Sequence, residues 1–260
     1  MGYTQITSNV ITTIPRNIDG ITGMDPSETV ALTCINLPEA LVMVDSGANI
    51  KKAQDFRNEM ELHFERKVSH LLLTHSHWDH SDALSVFQDV IVIISKRGAA
   101  KIKADVKVAD SFALGSKGNE ILFTVSGGHS PDSAYVYYPS DQVLIAGDNL
   151  LSCYAQVFLN GKVVLDLYRS WEPLDVKYII PGHGFVVDKD YLINVKDYFD
   201  KLIDFLKKLK SQGLTLNQVL KHSDLPTYCY KDHSKWEEGG QRHTGWLNSG
   251  IKYWFRNVSQ

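Results

Sequence analysis

The sequence predicts a mixed α/β fold, and three observations lead to that class. Short β-branched runs fill the first forty-five residues, an amphipathic helical pattern follows them, and the order of strands, helix and strand then recurs after about residue 100. Partly alternating β-branched runs indicate strands, whereas apolar residues three or four positions apart indicate a helix. The chain therefore reads as two similar halves, each with strands and a helix.

The first half begins with three strand-like runs, which are NVITTIPR, TVALTCINL and ALVMVDSG. The range from Asn49 to Phe64 is then predicted to be a helix, with Asn49 as its N-cap and an apolar face that contains Ala53, Phe56 and Met60. SHLLLTH and VIVII are predicted to be short buried strands, and DALSVF and KRGAAKIKA short helical segments.

The second half begins after a turn signal, GSKGN, at residues 115–119. Three strands are expected in EILFTVSGG, SAYVYYP and QVLIAGDNL, then a helix in LDLYRSWEPL and a strand in KYIIPGHG. From Tyr191 the pattern becomes helical, and HTGWLNSGIKYWF is expected to form a last helix. No linker rich in Pro, Gly or Ser divides the chain.

Composition narrows the class of protein. The chain has 260 residues, 43% of them hydrophobic, with 27 Lys plus Arg against 30 Asp plus Glu. A slightly acidic chain is a poor candidate for binding nucleic acid, which depends on cationic side chains.

No apolar run approaches the ~20 residues of a membrane span, and the N-terminus does not resemble a secretory signal. The three cysteines, Cys34, Cys153 and Cys229, are far apart, so we expect a reducing, cytoplasmic location.

The most informative stretch is LLLTHSHWDHSDAL, in which an apolar run ends in three imidazoles and a carboxylate. His75 and His77 are two residues apart, so in extended chain their side chains point the same way. Asp79 and His80 follow where the chain is expected to bend into a helix. Structural zinc sites are usually completed by cysteines, and none occurs nearby, so a structural zinc is the weaker interpretation.

Three more candidate ligands follow strand-like runs further along the chain. His129 lies in VSGGHSPDS, Asp148 in VLIAGDNL and His183 in YIIPGHG. Glycines beside them allow the backbone to pack closely around a site. Seven candidate ligands are too many for one tetrahedral zinc, but they suit two ions that share a carboxylate and a bridging water.

The motifs that contain these candidate ligands also resemble those of a known protein superfamily. THSHWDH, GGHSPDS, AGDN and PGHG, with the upstream VMVDSG, resemble the five motifs of the metallo-β-lactamase superfamily in order and approximate spacing, from about Leu41 to Gly184. The resemblance implies a four-layer αββα sandwich with metals at one edge between two sheets. It further implies a catalytic domain over residues 1–188 and a helical segment, residues 189–260, that packs on this domain and partly covers the active site.

The same resemblance implies a role for each candidate ligand. The first metal would be held by His75, His77 and His129, the second by Asp79, His80 and His183, and Asp148 would bridge both. Asp45 would support the metal-binding loops from outside the ligand set, as the second ring nitrogen of a ligating histidine usually needs an acceptor. Many members have Gly after the last His of the first motif, whereas this chain has Ser81.

The expected activity is a dinuclear metal-dependent hydrolysis of a small ester-like molecule, a thioester or a lactone. A bridging water could ionise near neutral pH, because zinc lowers the pKa of bound water to about 7, and the hydroxide would attack the acyl carbon. Asp79 and Asp148 are the predicted catalytic residues, which orient the nucleophile or handle its proton. Imidazole-rich ligands favour two zinc ions, although iron and manganese also accept such sites.

Two other activities stay open on the same fold. One is a mononuclear iron dioxygenase of the persulfide type, and the other is a phosphodiesterase or nuclease. One branch of nucleases inserts a whole domain between the bridging Asp and the last His, but only 35 positions separate Asp148 from His183 here. A binding protein on this fold would usually have lost ligands, and this chain keeps all seven. We expect a small-molecule substrate, no nucleic acid and no membrane, and the chain is compatible with a homo-oligomer.

A few aromatic and histidine residues have no assigned role. Tyr154 and Tyr168 are candidate oxyanion donors, but each is more simply a packing residue. Three histidines of the C-terminal segment are candidates for contact with substrate, namely His222, His233 and His243. Surface or packing roles are the simpler interpretation of all three. His63 and His70 lie outside the motifs and are interpreted as structural.

Overall fold

The computed structural model of the protein describes residues 2–17, 29–152, 154–156, 160–230 and 245–258. Two sheets form its centre. The larger sheet contains seven strands, which lie side by side in chain order: β1 (Thr4–Gln5), β2 (Val10–Thr12), β3 (Thr33–Asn36), β4 (Leu41–Val44), β5 (Val68–Leu72), β6 (Ile91–Ser95) and β7 (Val106–Val108). β1 to β4 pair antiparallel, and β4 to β7 pair parallel.

The smaller sheet contains β8 (Ser111–Leu114), β9 (Ile121–Val125), β10 (Ala134–Tyr138), β11 (Val143–Gly147) and β12 (Tyr178–Pro181). β8 to β11 are antiparallel neighbours, while β11 and β12 run parallel. The predicted turn at residues 115–119 joins β8 to β9, so the smaller sheet begins at Ser111, nine residues before the strand that was expected from Glu120.

The helices are α1 (Ile50–His63), α2 (Trp78–Ser81), α3 (Gly161–Trp171), α4 (Lys189–Ser211), α5 (Leu216–Val219) and α6 (Gly245–Asn257). Short 3₁₀ turns occur at Asp82–Phe87, Gly98–Ala100 and Pro139–Asp141. The predicted N-cap of α1 is confirmed, because the side chain of Asn49 accepts a hydrogen bond from the Lys52 backbone N–H. Helix α3 begins four residues before the predicted run, where the Asn160 side chain caps it by accepting from Val163.

Three apolar clusters separate four layers and confirm the predicted sandwich. The side chains of β4 alternate between two of these clusters: Val42 and Val44 face the other sheet, while Leu41 and Met43 face α1. A strand with a helix layer on one side and a sheet on the other is buried on both faces, which explains its unbroken apolar sequence. The middle cluster joins the two sheets.

The third cluster lies on the outer face of the smaller sheet. Leu144 and Ala146 of β11 pack there with residues of the helices, including Leu165 of α3, Val195 of α4 and Trp254 of α6. The apolar stripe predicted from Tyr191 onward is therefore the buried face of α4. Across the described ranges, none of the helices combines the length and the apolar character that crossing a membrane requires.

Candidate metal centre

The site lies where the carboxyl ends of strands from both sheets meet. The larger sheet contributes the segment after β5, which carries His75, His77, Asp79 and His80. The smaller sheet contributes the segments after β9, β11 and β12, which carry His129, Asp148 and His183. A backbone hydrogen bond of 2.7 Å from Ala134 to Thr74 joins the two sheets at this edge.

The structure brings all seven predicted ligands together in two groups. His75, His77, His129 and Asp148 form the first group, and Asp79, His80 and His183 form the second. Within each group the candidate ligand atoms all lie within 4.8 Å of one another. In the first group, Nδ1 of His77 lies 3.0 Å from Nε2 of His75 and 3.1 Å from Nε2 of His129.

Asp148 faces both groups with different oxygens. Its Oδ2 lies 3.3 Å from Nε2 of His129 and 3.7 Å from Nε2 of His75. Its Oδ1 lies 3.1 Å from Nε2 of His80 and 3.5 Å from Nε2 of His183. The side chain is only 7% exposed, so one buried carboxylate lies between two sets of imidazoles.

The donor set suits metal ions, because buried polar atoms point into the site without hydrogen-bond partners. In the described part of the chain, Nε2 of His80 and Oδ1 of Asp148 are both buried and neither makes a hydrogen bond of acceptable geometry. Leaving such a group unpaired is costly, and converging imidazole and carboxylate atoms are typical ligands for divalent transition metals. These residues therefore fit a pair of ions.

Asp45 holds the first ligand loop from behind. It follows β4, the neighbour of β5, and has a left-handed backbone with φ of 60°. Its Oδ1 accepts the Thr74 backbone N–H at 2.7 Å, and its Oδ2 accepts the Thr74 hydroxyl and the Nδ1–H of His80, each at 2.8 Å. An ionised carboxylate can only accept, so these bonds fix the orientation of the His80 ring.

The same network selects the ring nitrogens that face the site. The Thr74 hydroxyl gives its proton to Asp45, so it accepts from Nδ1 of His75, 3.1 Å away. In their neutral forms, His75 and His80 both carry their proton on Nδ1, so Nε2 is the nitrogen that each presents as a metal ligand. Ser81 donates its hydroxyl to the His77 carbonyl at 2.9 Å and so braces this loop.

Electrostatics differ between the two groups. Burial, followed by the neighbouring His80 charge, holds the pKa of His75 well below its usual range, and burial also lowers the pKa of His77. Burial opposes the charged form of His183 as well, but the carboxylates of Asp148 and Asp79 outweigh it and raise the pKa of His183 to about 9. Asp148, despite complete burial, has its pKa lowered well below the usual range by the surrounding imidazoles.

Close packing at glycine positions shapes the site. A Cβ on Gly182 would lie 2.0 Å from Oδ1 of Asp148, and one on Gly128 would lie 2.5 Å from Oδ1 of Asn149. Gly147 has a φ of 53°, and a Cβ there would lie 2.8 Å from the Thr74 side chain. The glycines noted in the sequence therefore do permit close approach, as predicted.

Two supporting residues were missed by the sequence reasoning. Asn149 accepts the His129 backbone N–H with Oδ1 at 2.9 Å, and Asp132 accepts the Ser76 backbone N–H with Oδ2 at 2.8 Å. Both are buried and both lie within the matching motifs, AGDN and GGHSPDS. Their closeness in sequence to the ligands His129 and Asp148 could have marked them as supporting residues. The sequence did not indicate which backbone N–H groups they would bind.

The residues without assigned roles fall mostly outside the ligand groups. The Tyr168 hydroxyl is buried and donates to the Asn149 carbonyl at 2.7 Å, so it supports the loop after Asp148. The Tyr154 hydroxyl lies 3.5 Å from the Thr29 hydroxyl, which itself lies 3.5 Å from Nδ1 of His183. His222 packs against Phe205, with ring centroids 5.3 Å apart. His233 and His243, like Cys153, lie outside the described residues.

The chain is similar in sequence to several known proteins. The profile of the metallo-β-lactamase superfamily matches residues 33–183. A type 2 metallo-β-lactamase from Bacillus sp. (strain 170) is 24% identical over 183 residues, which cover 63% of this chain and 70% of the relative. An atrochrysone carboxyl ACP thioesterase from Cryptosporiopsis sp. (strain 8999) is 24% identical over 151 residues, covering 56% of this chain and 46% of that protein.

Solved structures show the same fold. The metallo-β-lactamase from Pontibacter korlensis superimposes with a TM-score of 0.61 at 20% identity, covering 74% of this chain and 94% of that one. A sec-alkylsulfatase from Pseudomonas sp. gives a TM-score of 0.71 at 15% identity, covering 98% of this chain and 50% of that one. The profile match spans more than half of the residues and contains all the candidate ligands, and the chain therefore belongs to the metallo-β-lactamase superfamily of metal-dependent hydrolases.

Proposed function

We propose that the protein is a dinuclear metal-dependent hydrolase of a small ester-like substrate, a thioester or a lactone. The observation that carries the proposal is Asp148, whose two oxygens face different groups of imidazoles. A single-metal site would not need a carboxylate buried between two ligand sets. The shared position of Asp148 also argues against the mononuclear iron dioxygenase, which would use only part of these ligands.

The assignment of ligands follows from the two groups. His75, His77 and His129 would hold the first ion, Asp79, His80 and His183 the second, and Asp148 both. Five imidazoles and two carboxylates favour zinc, with iron or manganese as the alternatives. When bound, the pair of ions would supply an activated water and a Lewis acid for the substrate carbonyl.

The protein's own carboxylates have separate tasks in this scheme. Asp79 is more exposed than Asp148, with 16% of its side chain accessible against 7%, and its Oδ2 lies 3.2 Å from Nε2 of His183. Burial raises the pKa of Asp79, but His183 and His80 outweigh it and lower that pKa, so the group is ionised at neutral pH. Asp79 can therefore accept a hydrogen bond from the attacking water and orient it.

An acyl substrate is favoured over a nucleic acid by charge and by one relative. The chain carries 27 cationic against 30 anionic side chains, whereas holding phosphates needs an excess of Lys and Arg. The relative that hydrolyses an acyl carrier thioester matches over 151 residues, which supports the thioester arm of the proposal. We further propose a cytoplasmic location, consistent with the free thiols of Cys34 and Cys229. Partial cover of the site by residues 189–260 stays a prediction.

The test combines metal analysis with a substrate panel. Protein purified without added metal should contain two divalent ions per chain, and it should turn over an acyl-thioester or a lactone faster than a phosphodiester or an alkyl sulfate. The Asp79→Asn variant should keep its fold and lose most of this turnover. One tightly held iron with oxygen consumption on a persulfide would support the dioxygenase instead. Fastest cleavage of the phosphodiester, with a steep loss as salt rises, would reject the substrate class.

A further inference from the structure

The loop after β9 carries a buried carboxylate outside both ligand groups. Asp132 lies three residues after His129 and is 4% exposed. Its Oδ2 accepts the Ser76 backbone N–H at 2.8 Å, and its Oδ1 accepts the Ser130 hydroxyl at 2.8 Å. Burial, the largest influence, raises the pKa of Asp132, but the bonds from Ser76 and Ser130 outweigh it and lower that pKa.

The hydrogen bond between Asp132 and Ser76 is important because of where Ser76 lies in the chain. Ser76 lies between His75 and His77, two imidazoles of the first group, whereas Asp132 belongs to the loop that carries the third, His129. The two loops come from different sheets, so the hydrogen bonds within either sheet do not fix their relative position. Asp132 therefore connects the segment that carries His75 and His77 to the loop that carries His129.

The surroundings of Asp132 hold this carboxylate in place. A Cβ on Gly98 would lie 3.0 Å from its Oδ2, so the 3₁₀ turn that begins there packs directly on the carboxylate. Arg97 donates from Nη1 to the Pro131 carbonyl at 3.1 Å, which fixes the loop on the residue before Asp132. Asp45 acts differently, because it holds His80 of the second group directly and reaches His75 of the first group only through Thr74.

We propose that Asp132 is a positioning residue for the first metal. By accepting the Ser76 N–H, it sets the distance between the His75–His77 segment and His129, so that three imidazole nitrogens converge before an ion arrives. The inference rests on the proposed function, in that it takes the first group to bind a metal. The hydrogen-bond geometry carries the effect, and the negative charge of Asp132 does not.

The test compares variants that separate geometry from charge. Asp132→Asn loses the charge but keeps both bonds, since its oxygen can accept from Ser76 and its amide can donate to Ser130. Asp132→Glu keeps the charge but moves the oxygens toward Gly98, and Asp132→Ala removes both bonds. The matched control is Asp105→Ala, because the Asp105 carboxylate also accepts a backbone N–H, from Val92 at 2.9 Å, but outside both ligand groups.

The measurement is the stepwise zinc dissociation constant of each site, by competition with a chromophoric chelator. The absorption spectrum of the Co²⁺-loaded protein assigns the sites, with His129→Ala and His183→Ala as references. We expect Asp132→Glu and Asp132→Ala to weaken the first site by about 10- to 100-fold, the usual effect of losing a residue that orients a ligand. Asp132→Asn and Asp105→Ala should stay within about threefold of the wild type at both sites.

Three results would overturn the inference. Wild-type affinity in the folded Glu and Ala variants would show that Asp132 does not position the first site, and equal weakening of both sites would show a general structural role. An Asn variant as weak as the Ala variant would show that charge, and not geometry, matters. If neither Glu nor Ala folds, a first-site loss in the folded Asn variant overturns the inference, and an unchanged cobalt spectrum in that variant supports it. Wild-type protein that takes up no metal would contradict the proposed function itself.

Discussion

At the scale of single residues, Asp148 is the side chain on which the site depends most. It is buried between two groups of imidazoles, and each of its oxygens faces a different group. His183, in contrast, belongs to the second group alone. A carboxylate between two cations also screens their mutual repulsion, a task that a neutral imidazole cannot perform.

The first prediction compares the loss of these two ligands. Asp148→Ala should weaken binding at both sites, by about 100-fold or more, because its loss removes a direct ligand and not merely an orienting partner. His183→Ala should weaken the second site and leave the ion at the first site bound. Elemental analysis after dialysis against a weak chelator checks this. An Asp148→Ala protein that retains two ions and normal turnover would disprove the bridging assignment.

The second prediction concerns protons released on metal binding. Metal ligands must be deprotonated, and the pKa of His183 is raised to about 9 by Asp148 and Asp79 against the effect of burial. His183 of the metal-free protein is therefore protonated at pH ~7 and mostly neutral at pH ~10. Burial opposes the charged form of His80 too, but Asp148 and Asp45 outweigh it and raise the pKa of His80, so binding at the second site should release more protons at pH ~7 than at pH ~10. The affinity of the second site should accordingly rise with pH up to about 9.

Calorimetry in buffers of different ionisation enthalpy measures this release. The first group serves as the internal control, because burial lowers the pKa of His75 and His77 and both are already neutral at pH ~7. Binding at the first site should release few protons at either pH. Proton release that does not change between the two pH values would contradict the assignment of a charged His183.

At the scale of elements, the ends of paired strands decide how closely the ligands can approach. β11 and β12 are parallel neighbours, and their ends carry Asp148 and, two residues after Pro181, His183. Gly182 lies between these ends, and a Cβ there would come within 2.0 Å of Oδ1 of Asp148. The absence of a side chain at this position is thus a condition for the shared carboxylate.

The third prediction follows from this contact. Gly182→Ala should displace Asp148 and lower the affinity for both ions by at least about tenfold, with a corresponding loss of turnover. Gly250→Ala is the matched control, because its Cβ would meet atoms no closer than 3.7 Å and Ala favours the helix in which it lies. Metal titration measures the affinity of both variants. Unchanged affinity in Gly182→Ala would show that the ends of β11 and β12 move apart enough to accept the methyl group without displacing Asp148.

At the scale of the whole molecule, the site joins the two sheets. Four ligands follow β5 of the larger sheet, and the other three follow strands of the smaller sheet. Ions bound between them would connect the two central layers at one edge, in addition to the apolar cluster that already lies between the sheets. Metal binding should therefore contribute to the stability of the fold.

The fourth prediction is the size of that contribution. Ions that bind only the folded state, at free concentrations about 1,000 times their dissociation constant, stabilise it by about 4 kcal/mol. Removing them with a chelator should lower the unfolding temperature by roughly 10 °C, and adding zinc back should restore it. Thermal unfolding followed by circular dichroism measures the shift. An unfolding temperature that does not respond to the chelator would show that the ions do not hold the sheets together.

The sequence by itself determined the layered class, the helix that begins after Asn49 and the identity of seven candidate ligands, because periodicity and motif order are local properties of the chain. It did not reveal β7, or that the segment around KRGAAKIKA forms only a three-residue 3₁₀ turn, since short elements depend on their neighbours for hydrogen bonds.

Only the tertiary structure determines which oxygen of Asp148 faces which group of imidazoles. It also places Asp132 and Asn149 beside ligand segments that belong to other loops. The physical reason is that these contacts join residues from different strands and sheets. Their distances are set by how the sheets pack on their shared apolar core, and no local pattern in the chain records that packing.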